Sequence, residues 1–101
     1  MTCNWSDLEF TVYDINATWY SVAGLYIFAK RTTPPGYWRA LYIGQTDDFS
    51  SRIPYHERWA EAVRLGATHV HALVVPLAAN RDSWEQALIQ RFDPPLNDHH
   101  R

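Results

Sequence analysis

Cysteine is nearly absent, since the 101 residues hold only Cys3. An intramolecular disulfide is thereby excluded, a zinc site built on cysteines lacks its ligands, and a reducing compartment is expected. No apolar run approaches the ~20 residues that a membrane-crossing helix needs, and the N-terminus carries no basic, apolar and small-residue signal pattern. The expectation is a cytoplasmic protein with no membrane partner. No internal repeat, low-complexity tract or interdomain linker interrupts the chain. Positive charge is scarce too: 9 Lys and Arg stand against 11 Asp and Glu, a formal net charge of -2. Such a balance lacks the polybasic footprint of a tight, sequence-independent nucleic-acid binder.

What the chain does contain is apolar and aromatic. Apolar residues make up 47%, aromatics 15% with five tryptophans, and charged residues 20%, which is too apolar for a disordered segment. A chain of this length forms one domain and buries roughly two-thirds of its unfolded surface without metal or disulfide staples. The charge is uneven. Residues 1–21 carry Asp7, Glu9 and Asp14 with no Lys or Arg, whereas residues 22–64 are net basic.

Two short apolar runs, residues 22–29 and 40–45, flank a Thr33-Pro34-Pro35-Gly36 loop signal and read as two strands of one hairpin. Asp47, Asp48 and Ser51 offer helix starts, and residues 55–65 carry Trp59, Ala62 and Val63 at helical spacing before a glycine stop at Gly66. Pro54 predicts either a first-turn proline or a short turn of helix followed by a second helix. A third strand is expected over residues 68–75, then a helix from Arg81 to Arg91 capped by Asn80 and ended by Asp93-Pro94-Pro95. Residues 10–15 alternate as a strand does, or form an extended arm packed on the domain. The order strand, strand, helix, strand, helix is that of an α+β protein.

Particular residues carry more than the elements do. Gly24-Leu25-Tyr26 and Tyr42-Ile43-Gly44 sit on the two hairpin strands, followed by Arg52, His56, Glu85 and then Asn97 beyond the last helix. This ordered set resembles the GIY-YIG endonuclease superfamily over residues 22–97, with leucine in place of the central isoleucine of the first tripeptide. The resemblance implies a small three-stranded antiparallel sheet flanked by helices. Residues 1–21 would be an N-terminal extension packed on the domain, and residues 98–101 a tail. It further implies an endonuclease using one divalent cation, magnesium with manganese able to substitute, and Tyr26, Tyr42, Arg52, His56, Glu85 and Asn97 as the site, with Glu85 the metal ligand.

Phosphodiester hydrolysis needs a deprotonated water, neutralisation of charge growing on the phosphoryl oxygens and help for the leaving alkoxide. One glutamate suffices for a hard cation that keeps most of its waters. Glu85 is therefore assigned to the metal, Arg52 to the phosphoryl charge and Tyr26 to the water's proton, with Tyr42 and His56 contacting phosphate or positioning Tyr26 and Asn97 orienting its neighbours. A tyrosine of pKa ~10 is a poor base, and His56, ordinarily near 6.5, stands as the alternative. The resemblance favours DNA as substrate, and the acidic balance favours weak binding by the chain alone, with a protein partner delivering substrate. The competing reading is a catalytically inactive module that keeps the fold for binding or interaction. His69 and His71 share a strand face as a metal pair would, but no third ligand stands nearby and a structural role is expected. Trp59 and Trp84 read as packing; Trp38 reads as core cover or a stacking platform.

Overall fold

The computed structural model describes the chain apart from residues 34, 35 and 101 and the side chains of 98–100. The proline pair of the expected loop and the side chains of the tail lie outside the described residues. Strands β1 (Thr2–Trp5), β2 (Leu8–Asp14), β3 (Gly24–Arg31), β4 (Trp38–Thr46) and β5 (His69–Val74) build one sheet in the order β1-β2-β5-β3-β4, every neighbouring pair antiparallel. The α+β class stands, but the sheet has five strands and not the three expected. The two added strands come from the N-terminus, where Trp5 pairs with Leu8 across Ser6 and Asp7, both at positive φ (50° and 68°). This is the backbone of a two-residue hairpin turn, written in Ser-Asp in place of the Asn-Gly that usually announces it. β2 then adds to β5 through Thr11 to Asp14.

β3 lies between β5 and β4, and its residues 24–29 are all buried, as a strand covered on both faces must be. Tyr26 and Phe28 point to one face, where they join Leu41, Phe49, Ile53, Ala62, Val70 and Leu96. Leu25, Ile27 and Ala29 point to the other, against Trp5, Phe10, Ile43 and Leu88. Phe28 pairs with Tyr42 but Ala29 with Ala40, so Leu41 is the extra residue of a bulge. Because of it, both Leu41 and Tyr42 reach the Tyr26 face.

That face is covered by α1 (Phe49–Arg52), a 3-10 turn over Ile53–Tyr55 and α2 (Trp59–Arg64). Asp48 caps α1 by accepting from the Ser50 N–H at 2.9 Å, and Pro54 opens the 3-10 turn, where its missing donor costs nothing. The opposite face is covered by α3 (Ala78–Phe92), with Trp84, Ile89 and Phe92 packed inward. α3 begins earlier than the expected Arg81, and Asn80 lies inside it. Leu77 is its N-cap without a side-chain bond, and Arg81 reaches back to donate to the carbonyls of Val75 (3.0 Å) and Pro76 (2.9 Å). Asp93 ends the helix in the left-handed conformation with its N–H on Ile89, and a second 3-10 segment runs over Pro95–His100.

His71 is fully buried in the α3 face. Its Nδ1 accepts from the Trp5 indole N–H at 3.0 Å, and its ring meets Trp38 edge-on at 4.6 Å. Trp38 and His71 are thus core partners. Burial holds the His71 pKa down at about 4, so the imidazole folds neutral. The unfolded chain, with its histidine near 6.5, binds more protons than the native state between those values. Stability should accordingly be full above pH ~6.5 and fall as the pH drops toward 4, by roughly 3 kcal/mol from this group. Urea unfolding midpoints measured from pH 7.5 to 4.5 check this; a flat profile would contradict a buried neutral His71.

Candidate active site

Tyr26 is 1% exposed, and its ring lies directly over Gly44 of β4, the cross-strand partner. A Cβ at Gly44 would stand 2.5 Å from both Cζ and the hydroxyl oxygen of Tyr26, so only glycine admits the ring there. Tyr42 and His56 complete an aromatic cluster, with ring centroids 6.2 Å (Tyr26–Tyr42), 5.4 Å (Tyr26–His56) and 4.9 Å (Tyr42–His56) apart. Phe28 closes the cluster from below, 4.8 Å from His56.

His56 reaches this position because the 3-10 turn ends in an extended residue, φ -72° and ψ 127°, which breaks the helical path and swings the ring inward. Pro54 is therefore part of how Arg52 and His56 converge on one tyrosine from different local structures. The hydrogen bonds of His56 define its tautomer. Nδ1 accepts the Arg58 backbone N–H at 3.0 Å, so the proton of the neutral ring sits on Nε2, which donates to the Tyr26 oxygen at 2.8 Å. Burial and the Arg52 charge hold the His56 pKa down at about 4. At neutral pH, His56 is a donor to Tyr26 with no free ring lone pair.

The Tyr26 hydroxyl sits in opposed fields. Burial, foremost, and then the neighbouring Tyr42 push its pKa well above the usual tyrosine value; the Arg52 guanidinium pulls it down, and the Glu85 carboxylate pushes it up again. Tyr42 is likewise raised by burial, lowered by Arg52 and raised by Glu85. Tyr26, Tyr42, Arg52, His56 and Glu85 thus fall within one electrostatic neighbourhood. Asn97 acts at the rim. Its Oδ1 accepts from Ile43 N–H and its Nδ2 donates to Ile43 O, both at 2.8 Å, so its amide imitates a further strand on the open edge of β4 between Tyr42 and Gly44.

Three partners were not legible in the sequence. Glu57 binds Arg52 in a two-pronged pair, Nη1–Oε2 2.7 Å and Nη2–Oε1 3.1 Å, on an exposed carboxylate whose pKa Arg52 holds well below the usual range. On the far side of β4, Gln45 Nε2 donates to Asp82 Oδ1 (2.6 Å) and Glu85 Oε1 (3.1 Å). Asp82 and Glu85 are one turn apart on α3, and the sequence offers no signal beyond that i, i+3 spacing.

Among the described residues, no three or more His, Cys, Asp or Glu side chains cluster as a metal cage. The donor set nevertheless fits a hard divalent cation that keeps most of its waters. The Glu85 carboxylate stands by a second carboxylate, Asp82, with an amide N–H placed between them where positive charge is complementary.

No family model matches the chain, and no curated protein matches it. Solved structures do. The magnesium-bound GIY-YIG N-terminal endonuclease domain of UvrC from Thermotoga maritima aligns with TM-score 0.61 and 23% identity, over 78% of this chain and 86% of that one. An asparagine-to-alanine variant of the same domain, bound to its catalytic divalent cation, aligns with TM-score 0.60 and 23% identity over 76% and 83%. The fold of this chain is that of a GIY-YIG endonuclease domain.

The tautomer is directly measurable. Ring 15N–1H correlation spectra should show His56 neutral and protonated on Nε2 from pH ~5 upward, in keeping with its lowered pKa and occupied Nδ1. An Nδ1–H tautomer, or titration near 6.5, would contradict the geometry.

Proposed function

We propose that this chain is a divalent-cation-dependent endonuclease that hydrolyses phosphodiester bonds in nucleic acid, with DNA the favoured substrate. The observation that carries the reading is the convergence on one buried tyrosine oxygen of the His56 Nε2–H and the Arg52 charge, within the field of Glu85. Donors and positive charge around a hydroxyl favour its phenolate, here against burial and Tyr42, which keep the hydroxyl protonated in the free protein. Glu85, with Asp82 beside it, would hold the cation, which when bound supplies positive charge for the phosphoryl oxygens and the leaving group. The Tyr26 phenolate takes the proton of the attacking water, and His56 holds that oxygen in place and stabilises its negative charge. Arg52 exchanges Glu57 for the scissile phosphate, a planar fork moving from one bidentate oxyanion to another. Tyr42 packs beside Tyr26 and His56, and Asn97 fixes the β4 edge that carries Tyr42 and Gly44.

A second reading, the inactive binding module, draws on the Arg52–Glu57 pair, which occupies the guanidinium that the reaction requires. Kinetics separate the two. With magnesium and a duplex oligonucleotide, wild-type protein should cleave, and Glu85→Gln, which keeps the shape but loses the charge, should abolish cleavage. Under single-turnover conditions Tyr26→Phe should lower the rate by about 10² to 10⁴, as removal of a general base does, and His56→Gln should cost less. Activity surviving both EDTA and Glu85→Gln would remove the cation-dependent mechanism. A larger loss for His56→Gln than for Tyr26→Phe would return the base role to His56.

A further inference from the structure

Lys30, Arg31 and Arg39 lie near one another in sequence and at the same end of the β3–β4 ladder, where Lys30 pairs with Arg39 and Arg31 with Trp38. Strand alternation separates them. Lys30 has the parity of Tyr26 and Phe28 and faces the candidate active site's side of the sheet, whereas the Arg31 guanidinium stacks on Trp38, which packs with the α3-side core. Lys30 and Arg39 together wall an open groove of about 260 Å³ with Leu41 as floor and Leu65 and Pro95 as the remaining sides.

Two features make this groove more than a pair of surface cations. Both side chains are exposed, and among the described residues neither has an ion-pair partner, in contrast to Arg52 and Arg58, which are taken by Glu57 and Glu61. Lys30 is also held. Its methylene stem runs against Gly66, where a Cβ would stand 2.9 Å from Cδ and Cε, so the glycine that ends α2 at φ +106° also makes room for the lysine. The groove lies four residues along β3 from Tyr26, a span of about 13 Å.

We propose that the Lys30–Arg39 groove is a second phosphate-binding site, taking a backbone phosphodiester of the nucleic acid a few nucleotides from the bond held at Tyr26 and Arg52. The proposal rests on the nucleic-acid reading of the candidate active site and adds to it the track of the strand. A chain of net acidic charge would obtain its few phosphate contacts from these unpaired cations on one face.

The test uses the full chain in the Glu85→Gln background, which removes cleavage during the measurement, and a fluorescent duplex DNA oligonucleotide titrated across salt concentrations. Lys30→Gln and Arg39→Gln should each weaken binding several-fold and flatten the slope of log affinity against log salt by up to about 1, the share of one phosphate contact. Arg31→Gln, with the same change of net charge on the other face, should leave the slope unaltered. Equal effects of all three exchanges would reduce the groove to net charge and overturn the proposal, as would groove variants that bind like the parent or a parent that does not bind DNA. Cleavage by the Glu85-containing chain distinguishes the two levels. If it cleaves with magnesium and the groove variants keep the same KM and salt slope, the groove fails alone. If it does not cleave but the slope depends on Lys30 and Arg39, the nuclease reading fails and the phosphate site stands.

Discussion

A tyrosine ring that is 1% exposed must satisfy its hydroxyl inside the protein, and much of the site's architecture follows from how Tyr26 does so. The ring is admitted only because Gly44 lacks a side chain. Its oxygen is met by His56, which the 3-10 turn behind Pro54 delivers, and whose proton is placed by the Arg58 backbone N–H. Ile43, next to Gly44, is fixed by both ends of the Asn97 amide. The Tyr26 oxygen is thus met by His56 and lies against Gly44, and the two signature tripeptides matter through the ring-over-glycine contact that joins them.

The hydrogen bonds of His56 bear on the choice between the two candidate bases. Intrinsic pKa values favour histidine over tyrosine, but His56 has spent one ring nitrogen on the backbone and donates with the other. Tyr26 is left as the group whose charge state the surroundings control. Glu85 and burial oppose ionisation, and Arg52 favours it. On the proposed reading, a cation at Glu85 would remove one opposing charge and ease ionisation of Tyr26, while burial remains the larger opposing influence. Glu57, for its part, occupies the Arg52 guanidinium in an exposed two-pronged pair.

The sequence revealed the centre of this structure better than its edges, for physical reasons. β3, β4 and β5 are branched, aromatic runs buried on one or both faces, and their pattern announces them. Residues 10–15 showed the alternation of β2, but β1 and the hairpin turn were illegible because that turn is Ser6-Asp7, and the start of α3 because Ala78 and Ala79 carry no capping side chain while Asn80 imitates one. At the site, Tyr26, Tyr42, Arg52, His56, Glu85 and Asn97 stood out only as an ordered set. Glu57, Gln45 and Asp82 resemble any solvated side chain until the fold brings them against Arg52 and Glu85. Lys30 and Arg31 show the limit most plainly: neighbours in sequence, they serve opposite faces because a strand turns its side chains alternately.

The proposed function implies that a cation at Glu85 would lower the pKa of Tyr26. Ultraviolet difference titration of tyrosinate, with and without magnesium, tests it without recourse to turnover. In the presence of magnesium one tyrosine should ionise at lower pH, and that shift should vanish in both Tyr26→Phe and Glu85→Gln. A titration curve that magnesium leaves unchanged, in protein shown to bind the ion, would contradict the account.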